Sequence, residues 1–102
     1  MRDLRAMANS VLVFHQGETC PACKEYLPRF RKLAEPYKSK IDIRSINLNK
    51  ADKAVQDAGQ KFKIAAVPTT LVLGANDKVL RKAIGNVDNV KIAKLLAFAN
   101  GE

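Results

Sequence analysis

The chain has no tryptophan, one histidine and two cysteines among its 102 residues. Aromatic residues make up 6% of it, too few for an interleaved platform on which nucleic-acid bases could stack. A closed zinc site needs four ligands, and neither a second histidine nor a second cysteine pair is there to complete one. No metal or organic cofactor is therefore expected. Long apolar runs are also missing. The longest, "VLVF" (11–14) and "TLVL" (70–73), fall far short of the roughly 20 residues that cross a bilayer, so no membrane association is expected. The opening "MRDLRAMANS" has Arg2 and Arg5 interrupted by Asp3, and only four apolar residues follow it. That does not read as a secretory signal, and a cytoplasmic location is the expectation. Repeats, low-complexity segments and linkers are absent, so residues 1–102 read as a single domain, large enough to bury a core without staples.

Acidic residues are in short supply. Ten Asp and Glu face eighteen Lys and Arg, a formal charge of +8. Such a balance favours acidic partners. The cations are nevertheless scattered from Arg2 to Lys94, and no run exceeds the pairs Arg31–Lys32 and Arg81–Lys82. A solvated cationic surface is the better reading, and nucleic acid is not expected as a partner.

What is present is orderly. Val11–Phe14 is a short apolar run that predicts a strand. From about Pro21 to Tyr37 the residues Cys23, Tyr26, Leu27, Phe30, Leu33, Ala34 and Tyr37 recur at three-and-four spacing, which predicts a helix with one buried stripe. Pro28 sits inside it and should kink it. Ile41–Leu48 alternates apolar and polar residues as a strand does. Asn49 is expected to cap the next helix, with Asp52 in its first turn and Ala51, Ala54, Val55, Ala58 and Phe62 as its apolar stripe. "VPTTLVL" (67–73) and "KVLRKAI" (78–84) read as a hairpin about the turn "GAND" (74–77). A last helix should run from about Asp88 to Ala99 and stop at Asn100–Gly101. The order β-α-β-α-β-β-α predicts an α/β fold, a parallel sheet closed by one antiparallel hairpin, with helices on both faces.

Both cysteines lie in "GETCPACKEYLPRF" (17–30), at the start of the first helix. Cys23 falls on the buried stripe. Cys20 falls at or before the helix N-terminus, where free backbone N–H groups and the helix dipole favour a thiolate. Cys20 should therefore have a lowered pKa and be the exposed nucleophile, with Cys23 the shielded partner close enough to bridge it. Pro21 suits the first helical turn, which has no use for its missing N–H. Lys24 adds a cation nearby. A Cys-x-x-Cys in a strand–helix–strand context reads as a redox motif.

From Val11 to Phe98 the sequence resembles the thioredoxin family. The likeness rests on "CPAC" followed by Lys24, on Pro28 five residues after the second cysteine, on "KFKIAAVPTTLVL" (61–73) with its Val67–Pro68–Thr69, and on Gly85 after the hairpin. It implies the thioredoxin fold, a four-stranded mixed sheet with helices on both faces, and a thiol–disulfide oxidoreductase acting as a protein disulfide reductase. It also implies a cis Val67–Pro68 bond facing the cysteines. Val67, Pro68 and Thr69, together with Thr19 and Pro21 beside Cys20, are then the residues that meet a disulfide-containing protein substrate. Recycling would fall to a thioredoxin reductase or to glutathione, and the protein is expected to act as a monomer.

Several positions depart from the family pattern. Thr19 stands where thioredoxins have Trp, and Pro21–Ala22 where they have Gly–Pro. Phe14 takes the place of a buried Asp and Ser45 that of a buried Lys, so the usual base for Cys23 is missing, and His15 is the nearest substitute. The usual extra N-terminal strand is absent or reduced to a short helix in "MRDLRAMAN". Cys-Pro-x-Cys is the glutaredoxin arrangement, and "GNVDN" (85–89) is similar to the glutaredoxin segment that holds glutathione, with Gly85 and Asp88 kept. A glutathione-dependent glutaredoxin and a non-catalytic binding subunit on the same fold therefore stay open as alternatives.

Overall fold

The first strand among the described residues is an inner strand of the sheet. In the computed structural model, which describes residues 9–102, β1 (Ser10–His15) lies between β2 (Asp42–Asn47) and β3 (Thr69–Leu73), and β4 (Val79–Ile84) closes the order β2-β1-β3-β4. The short helix expected at the N-terminus falls on residues 1–8, outside the described range. Every residue from Val11 to His15 is buried, as a strand covered on both faces must be. Alternation sends Val11 and Val13 to one face and Leu12 and Phe14 to the other.

The first face is covered by α1 (Pro21–Ala34) and α3 (Asn89–Ala99). Tyr26, Leu27, Phe30 and Ala34 from α1 meet Ile92, Leu95, Leu96 and Ala99 from α3 over Val11, Val13, Val72 and Ala83. Each large apolar side chain buried there contributes about 1.5–3 kcal/mol. Tyr26 is wholly buried, and its hydroxyl and that of Thr70 share a hydrogen bond of 2.6 Å. Burial raises the phenol's pKa, which keeps it neutral. Among the described residues the second face is thinner. There α2 (Lys53–Lys61) has no fully buried residue, and Ala58, Phe62 and Ile64 rest on Leu12, Phe14, Leu71 and Leu73.

Four details differ from the expectation. The helix α1 runs through Pro28 but ends at Ala34, and Glu35–Tyr37 tighten into a single 3-10 turn with Pro36 inside it. The cap of α2 is Asp52, whose carboxylate accepts from the Ala54 N–H at 2.8 Å, so Asn49 and Ala51 precede the helix, and both Ala51 and Ala54 are exposed. The strand β3 starts at Thr69 and not at Val67. Finally, β3 pairs antiparallel with β1 as well as with β4, where the strand order alone predicts a parallel pairing outside the hairpin; the sheet is mixed, as the family resemblance implies. The pairings Phe14↔Ile46 and Phe14↔Thr69 show that β3 starts at the end where β2 finished.

The hairpin turn and the last helix follow the sequence reading. Asn76 and Asp77 both take left-handed conformations, which their short polar side chains tolerate. Asp88 caps α3 by accepting from the Lys91 N–H at 2.9 Å. No helix among the described residues is long and apolar enough to cross a membrane.

Candidate functional site

Registers place one end of the sheet at the centre of interest. The parallel pairing Phe14↔Ile46 and the antiparallel pairings Phe14↔Thr69 and Thr69↔Ile84 bring together the ends of β1, β2 and β4 with the start of β3. Four connections therefore converge there: Gln16–Cys20, Leu48–Asn49, Val67–Pro68 and Gly85–Asp88.

The first of them carries the cysteines. Leaving β1, the chain makes a 3-10 turn over Gly17–Thr19 and enters α1 with Cys20 as the N-cap residue and Pro21 at the first position. Gly17 sits at φ +56°, a conformation that favours glycine. Cys20 adopts extended backbone angles, and its sulfur accepts the Cys23 N–H at 3.1 Å. One of the helix's orphan donors is thus aimed at the sulfur that the dipole already favours as an anion. The two Cα atoms are 5.2 Å apart and the pair is joined as a disulfide. Cys20 retains 8% of its surface and Cys23 none. The difference in access runs in the expected direction, although Cys20 is more enclosed than an exposed nucleophile would be.

Lys24 follows the motif, but its ammonium lies 3.5 Å from Glu18, with both groups well exposed, and such a pair is worth about 0–1 kcal/mol. Thr19 is exposed, and its hydroxyl donates to the Gln16 carbonyl at 2.8 Å. The Asn49 side-chain amide then donates to that same carbonyl and to the Thr19 hydroxyl, both at 2.8 Å. Asn49, expected to be a helix cap, thus pins the turn that delivers Cys20. Its partners lie 33 and 30 positions back in the chain, so no local pattern points to this contact.

The Val67–Pro68 bond is cis. Pro68 is buried, Val67 half-buried, and the Pro68 carbonyl accepts the Gly85 N–H at 2.7 Å. Gly85 has φ +97°, again a glycine conformation. Thr69 is 1% exposed, its hydroxyl donates to the Ala66 carbonyl at 2.6 Å, and its backbone lies in register between Phe14 and Ile84. Pro21 is exposed beside Cys20. Asp88, which the glutaredoxin likeness singled out, is engaged as the cap of α3.

Phe14 is fully buried, with its ring 6.0 Å from that of Phe62. Ser45 is exposed beside Arg44. The family's acid and amine positions therefore carry no titratable group here. His15 is 7% exposed, and its Nδ1 accepts the Gly17 N–H at 3.0 Å, which puts the ring proton on Nε2. Burial, and secondarily the nearby Arg31, hold its pKa below the ordinary 6.5. The unfolded chain then takes up this proton at higher pH than the folded one. Stability from this group is fully present above pH 6.5 and falls as pH drops from there through the lower native pKa. An NMR titration of the only imidazole in the chain should give a midpoint below 6.5, and one at or above it would contradict this account. Among the described residues, no group of three or more His, Cys, Asp or Glu could hold a metal ion.

A family model, Thioredoxin, matches residues 2–98. No curated protein matches the chain by sequence. Solved structures do resemble it. The Malassezia sympodialis thioredoxin Mala s 13 is 20% identical, with a TM-score of 0.76 over 91% of this chain and 76% of the other. The germline-specific thioredoxin Deadhead of Drosophila melanogaster is 27% identical, with a TM-score of 0.73 over 88% and 79%. Mitochondrial thioredoxin 3 of Saccharomyces cerevisiae, in its oxidized form, is 19% identical, with a TM-score of 0.71 over 93% and 82%. The first and last of these speak to the fold alone. The family match spans nearly the whole chain and takes in the helix whose N-terminus carries the bridged cysteines, so the chain belongs to the thioredoxin family and is a thiol–disulfide oxidoreductase with that pair as its redox-active centre.

Proposed function

We propose that the protein is a disulfide reductase for protein substrates, with Cys20 as nucleophile and Cys23 as resolving thiol. The observation that carries this reading is the placement of the Cys20 sulfur at the cap of α1, accepting the Cys23 N–H, with the only accessible surface of the pair. In the reduced protein the Cys20 thiolate attacks one sulfur of a substrate disulfide. A mixed disulfide forms and the substrate's other sulfur leaves as a thiolate. The Cys23 thiol, losing its proton, then attacks Cys20, expels the second substrate thiolate and forms the Cys20–Cys23 bond. Two electrons have passed to the substrate, and the same two must return from a reductase or from glutathione. Val67, Pro68 and Thr69, with Thr19 and Pro21, would line the groove for the substrate's extended chain.

The test is the variant Cys23→Ser. It should complete the first attack but not the second, so a mixed disulfide with a protein substrate should accumulate and be released by dithiothreitol. Failure to trap any adduct would remove Cys23 from the resolving role. The potential of the wild-type pair separates the modes of use. A value near −270 mV would mark a thioredoxin-like reductant, one of about −230 to −200 mV glutaredoxin-type chemistry, and one near −120 mV a disulfide donor.

A further inference from the structure

Arg29 sits six residues after Cys23 on α1, outside the apolar stripe, and it is half-buried. Its guanidinium reaches the loop between β4 and α3. One terminal nitrogen donates to Asn89 Oδ1 at 2.7 Å, and the other donates to the Val87 carbonyl at 2.9 Å and to Asn86 Oδ1. The Asn86 amide in turn donates to Glu25, one turn before Arg29 on α1. Behind this fork the guanidinium carbon lies 5.8 Å from the centre of the buried Tyr26 ring. The planar fork sets two donor nitrogens against separate acceptors, Asn89 at the start of α3 on one side and Asn86 and Val87 of the loop on the other, a spread that the single nitrogen of a lysine does not reproduce.

The loop that Arg29 grips is the one that holds Pro68, because the Gly85 N–H donates to the Pro68 carbonyl. The helix carrying the cysteines and the segment carrying Pro68 belong to different parts of the chain. They are linked at this end of the molecule through Arg29, the 85–89 loop and the Gly85–Pro68 bond. We infer that Arg29 is a positioning residue for protein substrates, setting the distance between the cysteine pair and the Val67–Pro68 wall of the groove. The inference rests on the reading that an extended substrate chain lies along that wall. It requires discrimination by substrate size, because a small disulfide needs the sulfur alone and a protein disulfide needs both walls in place.

The experiment compares Arg29→Ala and Arg29→Lys with wild type on two probes, insulin and hydroxyethyl disulfide. In each assay the enzyme is recycled by dithiothreitol. Both variants should raise KM for insulin roughly tenfold, the effect of losing one well-made charged hydrogen bond, with a smaller change in kcat. The loss of kcat/KM on hydroxyethyl disulfide should be several-fold less. Asn86→Ala, which leaves the guanidinium and its ring contact intact, should reproduce the selectivity and guards against a variant that fails to fold. Equal losses on both probes, or an unchanged KM for insulin, would overturn the positioning role while leaving the dithiol chemistry standing. A wild-type protein that reduces neither probe would remove the disulfide-reductase reading, and this inference with it.

Discussion

Cys20→Ser should bring disulfide reduction down to the uncatalysed background while leaving the reduced protein as stable as before, or slightly more so. The reason lies in the two roles that the position combines. As a nucleophile it must be a thiolate, which a serine hydroxyl at neutral pH does not replace. As a helix cap it needs only an acceptor for the Cys23 N–H, which the cysteine sulfur now receives at 3.1 Å. Serine is among the preferred N-cap residues and accepts that bond well. Activity and stability should therefore separate in one variant. Reduction of a protein disulfide, followed by appearance of its thiols, measures the first, and urea unfolding of both proteins in reducing buffer measures the second. Without reductant the comparison changes, because the wild type gains its disulfide. Closing so short a loop, between residues 20 and 23, contributes about 2 kcal/mol on the chain-entropy account. Retention of full reductase activity by Cys20→Ser would overturn the assignment of the nucleophile and favour a binding role for the fold.

The largest expected effect on stability belongs to Phe14→Ala, at about 3–5 kcal/mol. Phe14 is fully buried and packs against Phe62 on the face of the sheet that, among the described residues, is covered by α2 and the residues on either side of it. That helix has no fully buried residue of its own, so little apolar material is at hand to collapse into the space left behind. Against a total stability of about 5–15 kcal/mol, the loss is a large share of what holds the protein together. Urea denaturation should show a lower midpoint with an unchanged slope. A loss below about 1 kcal/mol would mean that the aromatic pair contributes little beyond what a smaller side chain supplies. The same position shows how this chain departs from its family. A ring that anchors the second face stands where relatives carry an acid, so any help in deprotonating Cys23 must come from elsewhere.

Element by element, the legible parts were those whose signal is periodic or local. The three-and-four spacing of Cys23, Tyr26, Leu27, Phe30 and Ala34 marks α1 and its inward face, because a helix that covers a sheet must present one apolar stripe. The run Val11–Phe14 marks an inner strand, because burial on both faces removes the polar alternation. The cysteine pair was readable because helix-end chemistry is confined to one turn of backbone. The sequence places the start of α2 three residues early because Asn49 and Asp52 both carry cap chemistry, and only the fold shows which of them is drawn away to another contact.

By itself, then, the sequence determined the type and order of the described strands and helices, most of the core, and which two sulfurs can exchange electrons, since each of these follows from spacing along the chain. The tertiary structure alone decided that β3 runs antiparallel to β1, that Asn49 fastens the turn before Cys20, and that Arg29 ties the cysteine helix to the loop behind Pro68. Those contacts join residues 30 to 63 positions apart. A side chain's choice among distant polar partners depends on where the packed sheet and helices leave it, and no local pattern carries that information.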